Sequence, residues 1–243
     1  MTQAFRHAGI KGPPLVRLLA RLAQAAPAAP GVPLPDQLGA WLGWTDAIAL
    51  SAALNGDPPV VPGAARAAPG DELARLRQRL AQAIADERPY AAARRSVPAQ
   101  AAVPEDPAET AADYAPYRRH YVALQEQMER AIGSLRGQWR LALAAAGGQA
   151  ARLAMLDAVM ERVLGARERA ALAGVPALLE RRFRQLRQDG PQAARQVPAG
   201  AAAAPGAELD VFAQEMRGVL LAELDVRLQP LQGLDAALRA SNP

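Results

Sequence analysis

The sequence contains no cysteine and only two histidines, His7 and His120. A disulfide framework and a thiolate zinc site are therefore excluded, and so is a histidine-rich metal site. Aromatic residues make up 4% of the 243 positions. Isoleucine occurs only at Ile10, Ile48, Ile84 and Ile132, and threonine only at Thr2, Thr45 and Thr110. Strands draw on these residue types, so a large sheet is disfavoured. Long apolar runs are missing as well, because Arg17 and Arg21 break the first leucine-rich stretch. Nothing approaches the roughly 20 residues that cross a bilayer.

What is present is alanine and leucine, within a hydrophobic fraction of 51%, and that composition favours helices. The length suits one sizeable domain or two small ones. The 28 basic residues exceed the 24 acids by only four, and every basic residue except Lys11 is arginine. The sequence pI of about 10.1 is thus largely an arginine effect and is no signature of a nucleic-acid binder. Residues 1–35 carry Arg6, Lys11, Arg17 and Arg21 and no acid. Leu15, Leu18, Leu19 and Leu22 fall at helical spacing between arginines there, which indicates a cytoplasmic amphipathic helix rather than a targeting segment.

Proline punctuates the chain at 27–35, 58–69, 89–116 and 191–205, and these Ala- and Gly-padded stretches read as linkers. The expected division is an N-terminal helical region 1–88, a linker 89–112, a helical hairpin and following helix 113–188, a linker 189–207, and a C-terminal amphipathic helix 208–243. Within the first region the spacing predicts helices over 14–26, over 36–54 behind an Asp36 cap, and over 71–87 behind an Asp71 cap. The second of these is expected to bury Leu38, Trp41, Leu42, Ile48 and Ala52, with Thr45 on the same stripe. The third aligns Leu73, Leu76, Leu80 and Ile84 and leaves Arg75, Arg77 and Arg79 toward solvent.

No proline occurs from Tyr117 to Val175. Tyr114, Tyr117, Tyr121, Leu124, Met128, Ile132, Leu135, Trp139 and Leu143 recur every three or four residues and form one coiled-coil-like seam over 113–145. Gly147-Gly148 stops that helix, and Leu153, Leu156, Met160, Val163 and Leu164 form a second seam over 149–173. The short connection makes the two antiparallel neighbours. The fold class is therefore all-α, with this hairpin as its spine. A further helix carrying Leu178, Leu179, Phe183 and Leu186 starts near Pro176, or the previous helix continues through it with a kink. The last, 208–229, aligns Leu209, Phe212, Met216, Val219, Leu220 and Leu224, and Pro230 is expected to interrupt it.

Chemistry-bearing patterns are weak. His120 directly follows Arg118 and Arg119, which disfavour its protonated form and give no carboxylate orienter, and His7 sits near the start of the chain. Asp157 and Glu161 share a helix face, but no Glu-x-x-His motif accompanies them, so salt bridges to hairpin arginines are the expectation. Gly147-Gly148 lacks the following Lys-Ser/Thr of a phosphate loop, and Ser51, Ser96, Ser134 and Ser241 have no elbow motif. No catalytic, cofactor or metal residue is assigned, and the chain is expected to be non-enzymatic. The tyrosines at 114, 117 and 121 share their face with Leu124 and Met128, which favours a core over base stacking. Arg181, Arg182, Arg184 and Arg187 form the best basic patch, and nucleic-acid binding through their guanidiniums is the second reading. Thr45 and Asp46 are the most notable polar intrusion, expected to cap or to contact a partner.

Charge asymmetry is more telling. Residues 208–239 hold six acids against Arg217, Arg227 and Arg239, a net of −3, opposite the +4 of residues 1–35. Amphipathic helices on linkers suit docking onto a partner or onto the hairpin. Leu220, Leu224 and Leu228 are the expected docking residues, and the expected partner is a protein or a second copy.

Four stretches together resemble a known family: Trp41-Leu42-Gly43-Trp44-Thr45-Asp46-Ala47-Ile48-Ala49-Leu50, Tyr117-Arg118-Arg119-His120-Tyr121, Leu178-Leu179-Glu180-Arg181-Arg182-Phe183, and Leu221-Ala222-Glu223-Leu224-Asp225-Val226-Arg227-Leu228-Gln229-Pro230. The chain resembles an uncharacterised, all-helical proteobacterial family known only as a domain of unknown function. The resemblance supplies no catalytic residues. It implies a cytoplasmic accessory of a membrane assembly, encoded beside stator-like and OmpA-like proteins.

Overall fold

A computed structural model of the chain describes residues 13–23, 41, 43–56, 70–96, 107–196 and 206–241. Among the described residues there is no strand, and the chain is all-α. The helices are α1 (Pro14–Leu22), α2 (Trp44–Asn55), α3 (Glu72–Ala85), α4 (Glu87–Ser96), α5 (Pro107–Ala146), α6 (Gly148–Leu172), α7 (Val175–Gln196) and α8 (Ala207–Ser241). They cluster into two units that differ from the serial division expected from the prolines. One unit draws on residues 1–29, 81–126 and 174–223, and the other on 30–80, 127–173 and 224–243. Helices α3, α5 and α8 each contribute to both.

The first unit is organised by rings. Tyr114, Tyr117 and Tyr121 of α5 are buried, as the seam predicts. Tyr117 meets Phe183 of α7 at 5.6 Å and Phe212 of α8 at 5.2 Å between ring centres, and the two phenylalanines meet edge-on at 5.1 Å. Edge-to-face packing sets positive ring edges against negative faces and adds to the burial itself. Truncating a buried ring of this kind costs about 3–5 kcal/mol. The Tyr114 hydroxyl donates to the Pro176 carbonyl at 2.8 Å, and burial raises its pKa. Tyr121 donates to buried Glu223 at 2.6 Å, and Gln125 donates to the same carboxylate at 3.0 Å. Helix α1 packs against α7 through buried Leu15.

Helix α4 lies where a linker was expected. Pro89 occupies its first turn, where a missing N–H leaves no intrahelical bond unmade. Asp86 caps it by accepting the Arg88 N–H at 3.1 Å, and its side chain is also bound by the Arg88 guanidinium. Those bonds hold the Asp86 carboxyl at about 2. The helix then buries Tyr90 and Ala93. The rest of the 89–112 linker is helical from Pro107 onward, and 97–106 lie outside the described residues, as do 27–35, 58–69 and 197–205.

The second unit contains the antiparallel pairing of α5 and α6. Gly147 and Gly148 take φ of +74° and +53°, a left-handed conformation that side-chain residues rarely adopt, and this reverses the chain in one step. Arg136 and Arg140 of α5 then reach Asp157 and Glu161 of α6, while Arg169 near the far end of α6 reaches Glu129. The expected interruption at Pro230 does not occur: α8 runs through it to Ser241. Proline removes the N–H that would bond the Val226 carbonyl, at a cost of about 3 kcal/mol. Leu228, Leu231, Leu234 and Leu238 are all buried, each worth about 1.5–3 kcal/mol, so burial outweighs the lost bond.

His120 belongs to the first unit's packing. Its ring lies edge-on to Tyr90 at 4.9 Å, and its Nε2 is buried without a hydrogen-bond partner. Burial holds the imidazole below its ordinary 6.5, against the pull of Asp86 and with the help of Arg217. An unfolded chain therefore takes up this proton first as the pH falls. The fold suffers no penalty above about pH 6.5 and loses stability as the pH descends from there. Urea denaturation at a series of pH values from about 7 to 5 is expected to show a steeper decline for the native chain than for His120→Gln. Identical declines would contradict a buried neutral histidine.

Candidate interaction surface

The basic patch on α7 is largely consumed by carboxylates of its own unit. Arg182 forms two parallel bonds to Glu215 of α8, at 2.7 and 2.8 Å, and this pairing raises its pKa. Arg184 bonds Glu180 one turn back on α7. Arg187 is buried between Glu208 of α8 at 3.2 Å and Asp113 of α5 at 3.7 Å. Arg181 is exposed. Three of the four guanidiniums are thus committed before any phosphate arrives. Glu208 and Glu215 lie two turns apart on one face of α8, and that spacing was the signal in the sequence for an acidic stripe facing arginines.

The acids of α8 follow the same logic elsewhere. Asp210 pairs with Arg94 of α4 in the first unit, and Asp225 pairs with Arg77 of α3 at 2.8 Å in the second. The asymmetry read from the two ends is met by arginines of α3, α4 and α7, while residues 1–12 lie outside the described residues. Leu220, Leu224 and Leu228 are buried. They are interior residues of the two units and offer no surface in this conformation.

The apolar surface is on α2 instead. This helix starts at Gly43, whose carbonyl accepts the Ala47 N–H at 2.9 Å. It ends at Gly56, where a Cβ would meet the Ala52 carbonyl oxygen at 2.6 Å. Helix α2 packs on α6, burying Ala53. Trp44 is 82% exposed, Ile48 54% and Leu54 54%. Ile48, Ala52 and Thr45 were expected inside and face outward. The reason is that α2 is apolar nearly all round, so periodicity alone cannot choose its inner side. Asp46 lies on the inner side with buried Ala53, its Oδ1 accepting from Arg162 of α6 at 3.0 and 3.1 Å, and Trp44 and Ile48 face outward. Trp41 carries the Arg167 guanidinium of α6 at 5.0 Å from its ring centre. Asp36, Leu38 and Leu42 lie outside the described residues.

Asp157 and Glu161 serve the arginines, as expected from their spacing. Among the described residues no group of three or more potential metal-binding side chains is found. No helix among them is long and apolar enough to cross a membrane.

The chain belongs to the family described as "Protein of unknown function (DUF3348)", which matches residues 1–240. No curated protein and no solved structure matches it.

The pairing on α7 generates an expectation for nucleic acid. An electrophoretic shift assay with duplex and single-stranded DNA at low salt is expected to show no shift attributable to the patch. A salt-sensitive shift that disappears in Arg181→Gln/Arg182→Gln would contradict it.

Proposed function

We propose that the protein is a non-catalytic helical adaptor that acts in the cytoplasm through protein–protein association, with α2 as its contact helix. The observation that carries this reading is the outward face of Trp44, Ile48 and Leu54 on a helix anchored from behind by the Asp46–Arg162 pair. Apolar side chains this exposed and this close together are characteristic of association surfaces, and tryptophan is prominent among residues that dominate binding energy.

The occupant we assign is a second copy of the same face. Asp46 is the only charged residue of α2, and it lies on the inner side. Two copies therefore meet without like-charge repulsion, as a two-fold interface requires. A membrane-associated assembly is the setting implied by the family resemblance, with the membrane-spanning parts supplied by other chains.

Light scattering over a range of concentrations tests the reading. The native chain is expected to shift from one to two copies as concentration rises. Trp44→Ala/Ile48→Ser is expected to weaken that association by about 30-fold or more with unchanged circular dichroism, because both side chains are exposed. A native chain that stays single at every concentration would contradict the assignment.

A further inference from the structure

Two of the clefts on the second unit differ in how their arginines are satisfied. The smaller, about 250 Å³, includes Arg77 and Arg239, which are paired with Asp225 and Asp235. The larger, about 370 Å³, lies between α3 and α5 and includes Arg75 and Arg79 one turn apart on α3, with Ser134 and Gln138 one turn apart on α5. Arg79 makes no ion pair among the described residues. Arg75 has only a 3.4 Å bond from its Nε to the main-chain oxygen of Asp71. Glu72, the one carboxylate lining the cleft, is held by the Trp139 indole N–H at 2.9 Å.

Many arginines elsewhere in the fold are held by carboxylates. Arginines 77, 94, 136, 140, 162, 169, 182, 184 and 187 all have carboxylates within 4 Å. The larger cleft is lined by two guanidiniums, a hydroxyl and a side-chain amide, and among the described residues no carboxylate pairs with those guanidiniums. We propose that Arg75, Arg79, Ser134 and Gln138 form a binding site for the phosphate group of a small organic phosphate monoester.

The chemistry follows from the donors. Guanidinium forks match the oxygens of a phosphate, and charge-assisted bonds are about twice as strong as neutral ones. Ser134 and Gln138 supply further donors from the opposite wall. Leu76 and Leu135 also line the cleft and give it apolar flanks. Its volume falls in the range of small-molecule sites and leaves space beyond the phosphate for an organic substituent. The site is independent of the α2 face, so either assignment stands or falls without the other.

Calorimetric titration of the full chain with inorganic phosphate and with phenyl phosphate, in a buffer free of other multivalent anions, tests the proposal. Saturable binding of one phenyl phosphate per chain, tighter than that of inorganic phosphate, is expected. Arg79→Gln should weaken it about tenfold, and Arg75→Gln/Arg79→Gln should abolish it. Arg77→Gln, whose guanidinium is paired with Asp225, should leave it unchanged. All three positions are exposed, so circular dichroism should be unaltered in each variant. An absence of saturable heat, or equal binding by the double variant, would overturn the proposal.

Discussion

Four side chains across the α5–α6 hairpin set the geometry on which the functional proposals rest. Arg136 grips Asp157 through two bonds of 2.7 and 2.8 Å, and Arg140 engages Glu161 and, at 3.6 Å, Asp157. The Arg136 and Asp157 side chains are only 13% and 10% exposed. Burial works against the charge of Arg136, but the bonds and field from Asp157 and Glu161 prevail and raise its pKa. Removing one member of such a set strands a desolvated charge, a loss of about 3–5 kcal/mol. With the register of α6 fixed, Arg162 is placed to receive Asp46, and α2 turns Trp44 outward. On α5, Trp139 is placed to bind Glu72, which sits on the α3 wall of the larger cleft.

Many arginines of this chain therefore serve the fold. In the first unit Arg182, Arg187 and Arg94 link helices through Glu215, Glu208 and Asp210, and Arg217 pairs with Glu87 at 2.7 Å while lying 4.3 Å above the Tyr90 ring. Arginine suits this work because its planar fork bonds a carboxylate in two places and also stacks on aromatic faces. The high pI is consistent with such internal use. Arg75 and Arg79 are distinguished by their placement, because both line one cleft together with Ser134 and Gln138.

Much of the architecture was legible in the sequence because it rests on long, regular signals. The Tyr114 to Leu143 seam and the Gly147-Gly148 stop specify a helix and its reversal, and Leu76, Leu80 and Ile84 specify the buried side of α3. The candidate surface was harder to read for physical reasons. Helix α2 has apolar residues on every side, so its inward face depends on long-range packing against α6 that periodicity does not reveal. Helix α4 hides behind Pro89, which reads as a breaker until its first-turn position is known. Pro230 reads as an end, yet buried Leu231, Leu234 and Leu238 carry α8 past it. Leu220, Leu224 and Leu228 looked like a docking stripe because a helix that docks and a helix that packs at home share one periodicity.

The most direct test of this account is a double-mutant cycle on Arg136→Gln and Asp157→Asn, read by urea denaturation. If the pair organises the hairpin, each single change destabilises the chain and the double change costs less than their sum, with a coupling energy above about 1 kcal/mol. Effects that add to within about 0.5 kcal/mol would show that the hairpin is held by its apolar seam alone and would contradict the account.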